Sequence, residues 1–250
     1  MEVVFPPLTT SNNSLPIFIN SKPTARQRGS IIISEIQEIR VCTNRSCRRQ
    51  GSMQTLETVT ALAPPTVAVK SCGCLSRCGN GPNLVALPAG TLVGHCGTRA
   101  RAAEVLVALC GGAWDSDAAD KSLEALALRN KAEIELNNNN NFSQAELFLS
   151  QAIELRPIGG IHITYKDRSI ARLALGNHSG ALEDAAQALA LNPLYPEAYI
   201  CQGDAFLAMS HFDSAQKSYL TALQIDPSIR RSKSFKARIA NLEKLTAVPD

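Results

Sequence analysis

Four cysteines in two short pairs, Cys42/Cys47 and Cys74/Cys78, are the residues of this chain best suited to chemistry. They read C-x4-C and C-x3-C with 26 residues between the pairs, and Arg48 and Arg77 directly follow or precede one member of each pair. Five of the eight cysteines fall between Cys42 and Cys78, which speaks for a local site and a reducing compartment rather than a spread of disulfide staples. Soft thiolates select iron–sulfur clusters, zinc or copper(I), and four of them satisfy either a [2Fe-2S] centre or tetrahedral zinc. Zinc ribbons space each pair as C-x2-C, so the wider gaps here favour the [2Fe-2S] cluster and leave zinc as the alternative. Such a cluster is anionic, and Arg45, Arg48 and Arg77, with Arg49 and Lys70, would offset its charge. Cys72 is open to three readings: a replacement ligand, a partner for Cys96, or an idle thiol. His95 reads as a turn residue, and Cys110 and Cys201 as apolar helix faces.

The elements that must carry these thiols follow from patterning. Glu38 to Cys42 alternates polar and apolar residues as a half-buried strand does, and delivers Cys42 at its end. Met53, Leu56, Val59 and Ala63 stand at helical spacing before Pro64-Pro65 stop the helix. Thr66 to Val69 reads as a strand leading to the second cysteine pair. Asn83 to Leu87 reads as another, turning at Pro88-Ala89-Gly90 into Thr91 to Val93. Thr98 can cap a helix through Ala102, Val105, Leu106 and Leu109 that ends at Gly111-Gly112.

This order, strand, helix, three strands and helix, with C-x4-C after the first strand and CGCLSRCGNGPN after the second, resembles the thioredoxin-like [2Fe-2S] ferredoxins. The resemblance covers residues 38 to 111, with Ser76 where many members have glycine. It implies that Cys42, Cys47, Cys74 and Cys78 bind the two irons from neighbouring loops; if the chain is an electron carrier, a ferredoxin or reductase is the expected exchange partner.

The second half of the chain repeats itself. Ala145, Leu149, Ala152 and Pro157 recur as Ala181, Ala185, Ala188 and Pro193, and again as Ala215, Tyr219, Ala222 and Pro227. The intervals between the prolines, 36 and 34 residues, match the tetratricopeptide (TPR) period, a helix-turn-helix per unit. The expected architecture is therefore an α/β thioredoxin-like ferredoxin domain (35–112), a linker (113–121), three all-α TPR repeats (122–227), and a capping helix and tail (228–250). The asparagine run 137–141 reads as a lengthened turn inside the first repeat. Some TPR domains hold a chaperone's C-terminal carboxylate with lysine, arginine and asparagine. The matching positions here are Arg129, Glu133, Asp167, and Cys201 with Gln202, of which only Arg129 keeps suitable chemistry. Carboxylates in that groove repel a carboxylate, so a basic or helical protein segment is the expected ligand.

Charge is distributed in territories. Residues 36–112 carry eight basic and three acidic side chains, residues 113–227 eight and fifteen, and residues 228–250 six and two. No acidic residue occurs from Val3 to Ser34, a stretch rich in Ser, Thr, Asn and Pro that has the composition of an organelle transit peptide (1–34). The chloroplast stroma is the expected address, because the whole arrangement resembles plant plastid TPR proteins, with the mitochondrial matrix as alternative. No apolar run is long enough to span a bilayer. With 5% aromatic residues and no aromatic platform in the basic region, nucleic-acid binding is not expected, and no motif for catalysis on an organic substrate occurs. The expected function is a [2Fe-2S] TPR adaptor that assembles or scaffolds a protein complex. The alternatives are a one-electron carrier docked by the repeats and a zinc or redox-cysteine module.

Overall fold

The computed structural model describes residues 36–111 and 115–246; the expected transit segment lies outside them. The order of elements in the first part is β1 (Glu38–Cys42), α1 (Arg45–Arg49), α2 (Ser52–Leu62), β2 (Ala68–Cys72), β3 (Leu84–Leu87), β4 (Thr91–Val93) and α3 (Arg99–Gly111). The strands form one sheet in the order β2-β1-β3-β4, with β1 and β2 parallel and the other two pairings antiparallel. Ile39 and Val41 of β1, Leu84 and Ala86 of β3, Val59 and Leu62 of α2 and Val105 and Leu106 of α3 close one core. Thr98 begins α3, its hydroxyl accepting the Arg101 amide at 3.1 Å.

Two expectations change here. The second strand runs from Ala68 to Cys72 rather than from Thr66 to Val69, because β2 is an edge strand whose residues are exposed or half-buried and whose placement is set by pairing with β1. An additional short helix, α1, carries Cys47 and is capped by the Asn44 side chain.

The rest of the described chain is helical: α4 (Ser116–Ile134), α5 (Phe142–Glu154), α6 (Ile161–Ala174), α7 (His178–Leu191), α8 (Pro196–Ala208), α9 (Phe212–Ile225) and α10 (Lys233–Thr246). The pairs α4/α5, α6/α7 and α8/α9 are TPR-like repeats, and the repeated alanines, among them Ala145, Ala181, Ala185, Ala188, Ala215 and Ala222, are fully buried where helices meet. Gly203 shows why a small residue is needed: a Cβ there would lie 2.5 Å from the Tyr219 ring. Within the first repeat, a π-helical turn over Glu135–Asn139 and a left-handed Asn140 (φ +51°) absorb the asparagine run, after which Asn141 caps α5.

Charge locks the repeats together. Asp184 on α7 is 1% exposed and takes a bidentate contact from Arg168 (2.9 and 2.8 Å) and a third from Arg172 at 3.1 Å. Arg172 also reaches Glu146 on α5 at 2.8 Å. At the other end, Asp204 accepts hydrogen bonds from the Tyr219 hydroxyl (2.7 Å) and from Arg238 of α10 (2.7 and 2.8 Å).

The expected linker is not a spacer: Asp115 caps α4, which begins at Ser116, and Ala119, Leu123 and Leu126 of that helix pack into the core of the sheet. Helix propensity of the Ala-rich stretch 116–127 outweighs its polar, acidic composition. Among the described residues no helix is long and apolar enough to cross a membrane.

Candidate functional site

The four cysteines lie at the same end of the sheet, Cys42 and Cys47 buried and Cys74 and Cys78 exposed, and Cys47 and Cys42 both add to the upward push that Cys74 exerts on the Cys78 thiol. Cys42, at the end of β1, and Cys47, on α1, are buried. Cys74 and Cys78 are exposed, with sulfurs 3.5 Å apart. Burial pushes the Cys42 thiol up, but amides of Asn44 and Leu75 and the Cys47 thiol outweigh it and hold Cys42 below the usual thiol value. Burial pushes Cys47 up, although Asn83 donates to its sulfur at 3.6 Å. Cys78 is raised chiefly by its neighbour Cys74. All eight cysteines are free; Cys72 is half-buried, and Cys96 is buried with its thiol raised to about 12, so the two are not paired. Arg45, Arg48 and Arg77 are exposed and form no ion pair among the described residues.

Among the described residues, no group of three or more His, Cys, Asp or Glu side chains is arranged to hold a metal ion. The [2Fe-2S] cluster and its zinc alternative, expected from the four thiols, are therefore corrected. Spacings of C-x4-C and C-x3-C fix which thiols are near in sequence, and do not fix side-chain geometry.

The positions that match a TPR clamp lie on α4, α6 and α8. Arg129 on α4, half-buried, donates to the carbonyl of Ala61 at 3.5 Å and of Gly160 at 3.3 Å. Burial opposes its charge, and Asp167, Tyr195 and Glu133 counter that in part. Gly160 has φ +72°, and a Cβ on it would lie 2.4 Å from the Ala61 carbonyl oxygen and 2.7 Å from Arg129. The end of α2 thus presses on the turn before α6, and the one cation at the clamp positions is spent on backbone carbonyls of its own chain.

The remaining groove candidates are placed as follows. Glu133 is exposed on α4, while Asp167 on α6 is half-buried and ion-paired to its neighbour Lys166. Gln202 on α8 accepts from Ser218 on α9 at 3.0 Å and so is turned toward its own repeat. Cys201 is buried, its thiol pushed up to about 12 by burial.

Sequence reasoning missed His162 and Tyr195, whose rings meet edge-to-face with centroids 5.1 Å apart. Burial and then Arg129 lower the His162 pKa, and burial, Glu197 and Asp167 push the Tyr195 phenol well up. The signal available was the aromatic just before Pro196, the first residue of α8, a position that sits at the mouth of the repeat turn.

No protein-family model matches the chain. Over 88 residues the chain is 36% identical to "Protein STIP1 homolog" of Dictyostelium discoideum, a match that covers 35% of this chain and 15% of that one. Over 108 residues it is 33% identical to "Hsp70-Hsp90 organizing protein" of Triticum aestivum, covering 43% and 18%. Among solved structures, the first TPR of Spaghetti (RPAP3) bound to an HSP90 peptide aligns with a TM-score of 0.45 at 22% identity, over 51% of this chain and 96% of that one. The chain thus spans less than a fifth of the length of these two curated relatives. Its helical part, built of TPR-like repeats, is similar in sequence to parts of chaperone-organising proteins. These likenesses, with the thiol geometry, overturn the iron–sulfur adaptor and electron-carrier functions expected from the sequence.

Proposed function

We propose that this chain is a TPR adaptor, related to chaperone-organising proteins, that binds a segment of a partner protein in the groove of α4, α6 and α8. The observation that carries the reading is the state of the groove's charges. Arg129 is engaged by the Ala61 and Gly160 carbonyls, whereas Glu133 stands exposed and Asp167 shares one lysine. A groove so furnished favours a segment with lysine or arginine, extended or helical, over a C-terminal carboxylate.

A second reading, the chaperone C-terminal tail as ligand, is favoured by the 33–36% identity to chaperone-organising relatives. It requires Arg129 to leave its two carbonyls.

Two coarser features accompany the proposal. The strand order β2-β1-β3-β4 with its parallel first pair supports a thioredoxin-like reading of the small sheet, which would serve as a rigid brace for the first repeat. The transit-like segment 1–34, acid-free from Val3 to Ser34 and rich in Ser and Thr, supports delivery to the chloroplast stroma, with the mitochondrial matrix as the other address.

A photoreactive Lys/Arg-rich peptide tests the groove assignment. Cross-links mapped by mass spectrometry are expected on α4, α6 and α8; cross-links confined to other elements contradict it.

A further inference from the structure

We infer that the groove between α9 and α10 is a second docking site, for an acidic amphipathic helix of a partner protein. The groove encloses about 440 Å³. Tyr219, Leu220 and Leu223 on one side, and Phe235, Ile239 and Leu242 on the other, form an apolar floor between two helices. Leu220 is 52% exposed there and carries the apolar floor out to the surface.

The rim decides what covers it. Arg230 and Lys236 line the groove, are exposed, and form no ion pair among the described residues. Exposed Lys233 and Lys244 extend the positive field along α10. Glu243 is the acidic residue at the groove, and Arg238 is committed to Asp204. An apolar floor between two helices accepts leucine-type anchors at i, i+3, i+4 and i+7, and the unpaired cations select glutamate or aspartate on the partner's flanks. α10 itself has 14 residues, about 21 Å, so the complementary helix has roughly four turns.

This surface lies on the last repeat and its cap, so it tests separately from the main groove. The probe is a fluorescein-labelled synthetic helix of about four turns with leucines at those positions and glutamates elsewhere. Anisotropy is read against the full chain, with the same peptide carrying lysines as comparison. Saturable binding of the glutamate peptide is expected, weaker at high salt and weakened about tenfold or more by Arg230→Glu with Lys236→Glu, and likewise by Leu220→Asp. All three positions are exposed, and circular dichroism confirms that each variant keeps its helices. The inference is overturned if the glutamate peptide does not saturate, if the charge reversals leave its affinity unchanged, if the lysine peptide binds as well, or if sedimentation shows the groove filled by a second copy of this chain.

Discussion

Asp184 is the most consequential single charge in the repeats. Two arginines, Arg168 and Arg172, converge on a carboxylate 1% exposed to solvent, so removing it leaves two part-buried cations facing an empty place. Asp184→Ala is expected to lower stability by about 3 kcal/mol or more, read from urea unfolding of the helical signal; a loss near zero would mean that water replaces the carboxylate. His162 gives a pH dependence with a defined sign. Its folded pKa lies below the model-compound value of 6.5, because burial and Arg129 disfavour the imidazolium. The unfolded chain therefore binds the extra proton, and this contribution to stability is complete above about pH 6.5 and is lost as pH falls below it. His162→Gln should flatten that part of the stability profile, while an unchanged slope would assign it to other groups. At this scale the sequence misled in one place. Four cysteines and adjacent arginines spelled a metal centre, but thiol type and spacing do not fix side-chain geometry, and among the described residues no three of them are arranged to hold a metal ion.

Elements were legible where a period or a cap fixes them. The alternation Glu38 to Cys42 is β1 residue for residue, and Thr98 caps α3 as its hydroxyl requires. The alanine and proline recurrences placed the TPR-like helix pairs, because close packing leaves no room for larger side chains at those positions. Gly203→Ala tests that account: with Tyr219 2.5 Å from the new methyl, α8 and α9 must separate, at about 1–3 kcal/mol. Thermal unfolding unchanged by the substitution would contradict the close packing. Strand β2 was misplaced by two residues because an edge strand with exposed side chains has no apolar alternation to read. The cap helix α10 depends on Asp204, which ties Arg238 and the Tyr219 hydroxyl together. Asp204→Ala is expected to accelerate amide exchange across Lys233–Thr246 while leaving α4 to α7 protected; uniform protection would show that apolar contacts alone hold the cap.

Across the whole molecule, the feature hidden from the sequence is the union of the sheet with the first repeat. A polar, acidic stretch was expected to separate them, yet α4 buries Ala119 in the sheet's core and Arg129 bridges Ala61 to Gly160. Such contacts join residues far apart in the chain, and local composition does not encode them. They also decide the chemistry of the groove, since they occupy its clamp-position cation. The most direct test is isothermal titration of the full chain with two peptides of equal length, one Lys/Arg-rich and one ending in a chaperone-type EEVD tail. The account predicts saturable, salt-sensitive binding of the basic peptide, weakened by Glu133→Lys with Asp167→Asn, and little heat from the tail. Tight binding of the tail, abolished by Arg129→Ala, would contradict it and establish a carboxylate-holding groove instead.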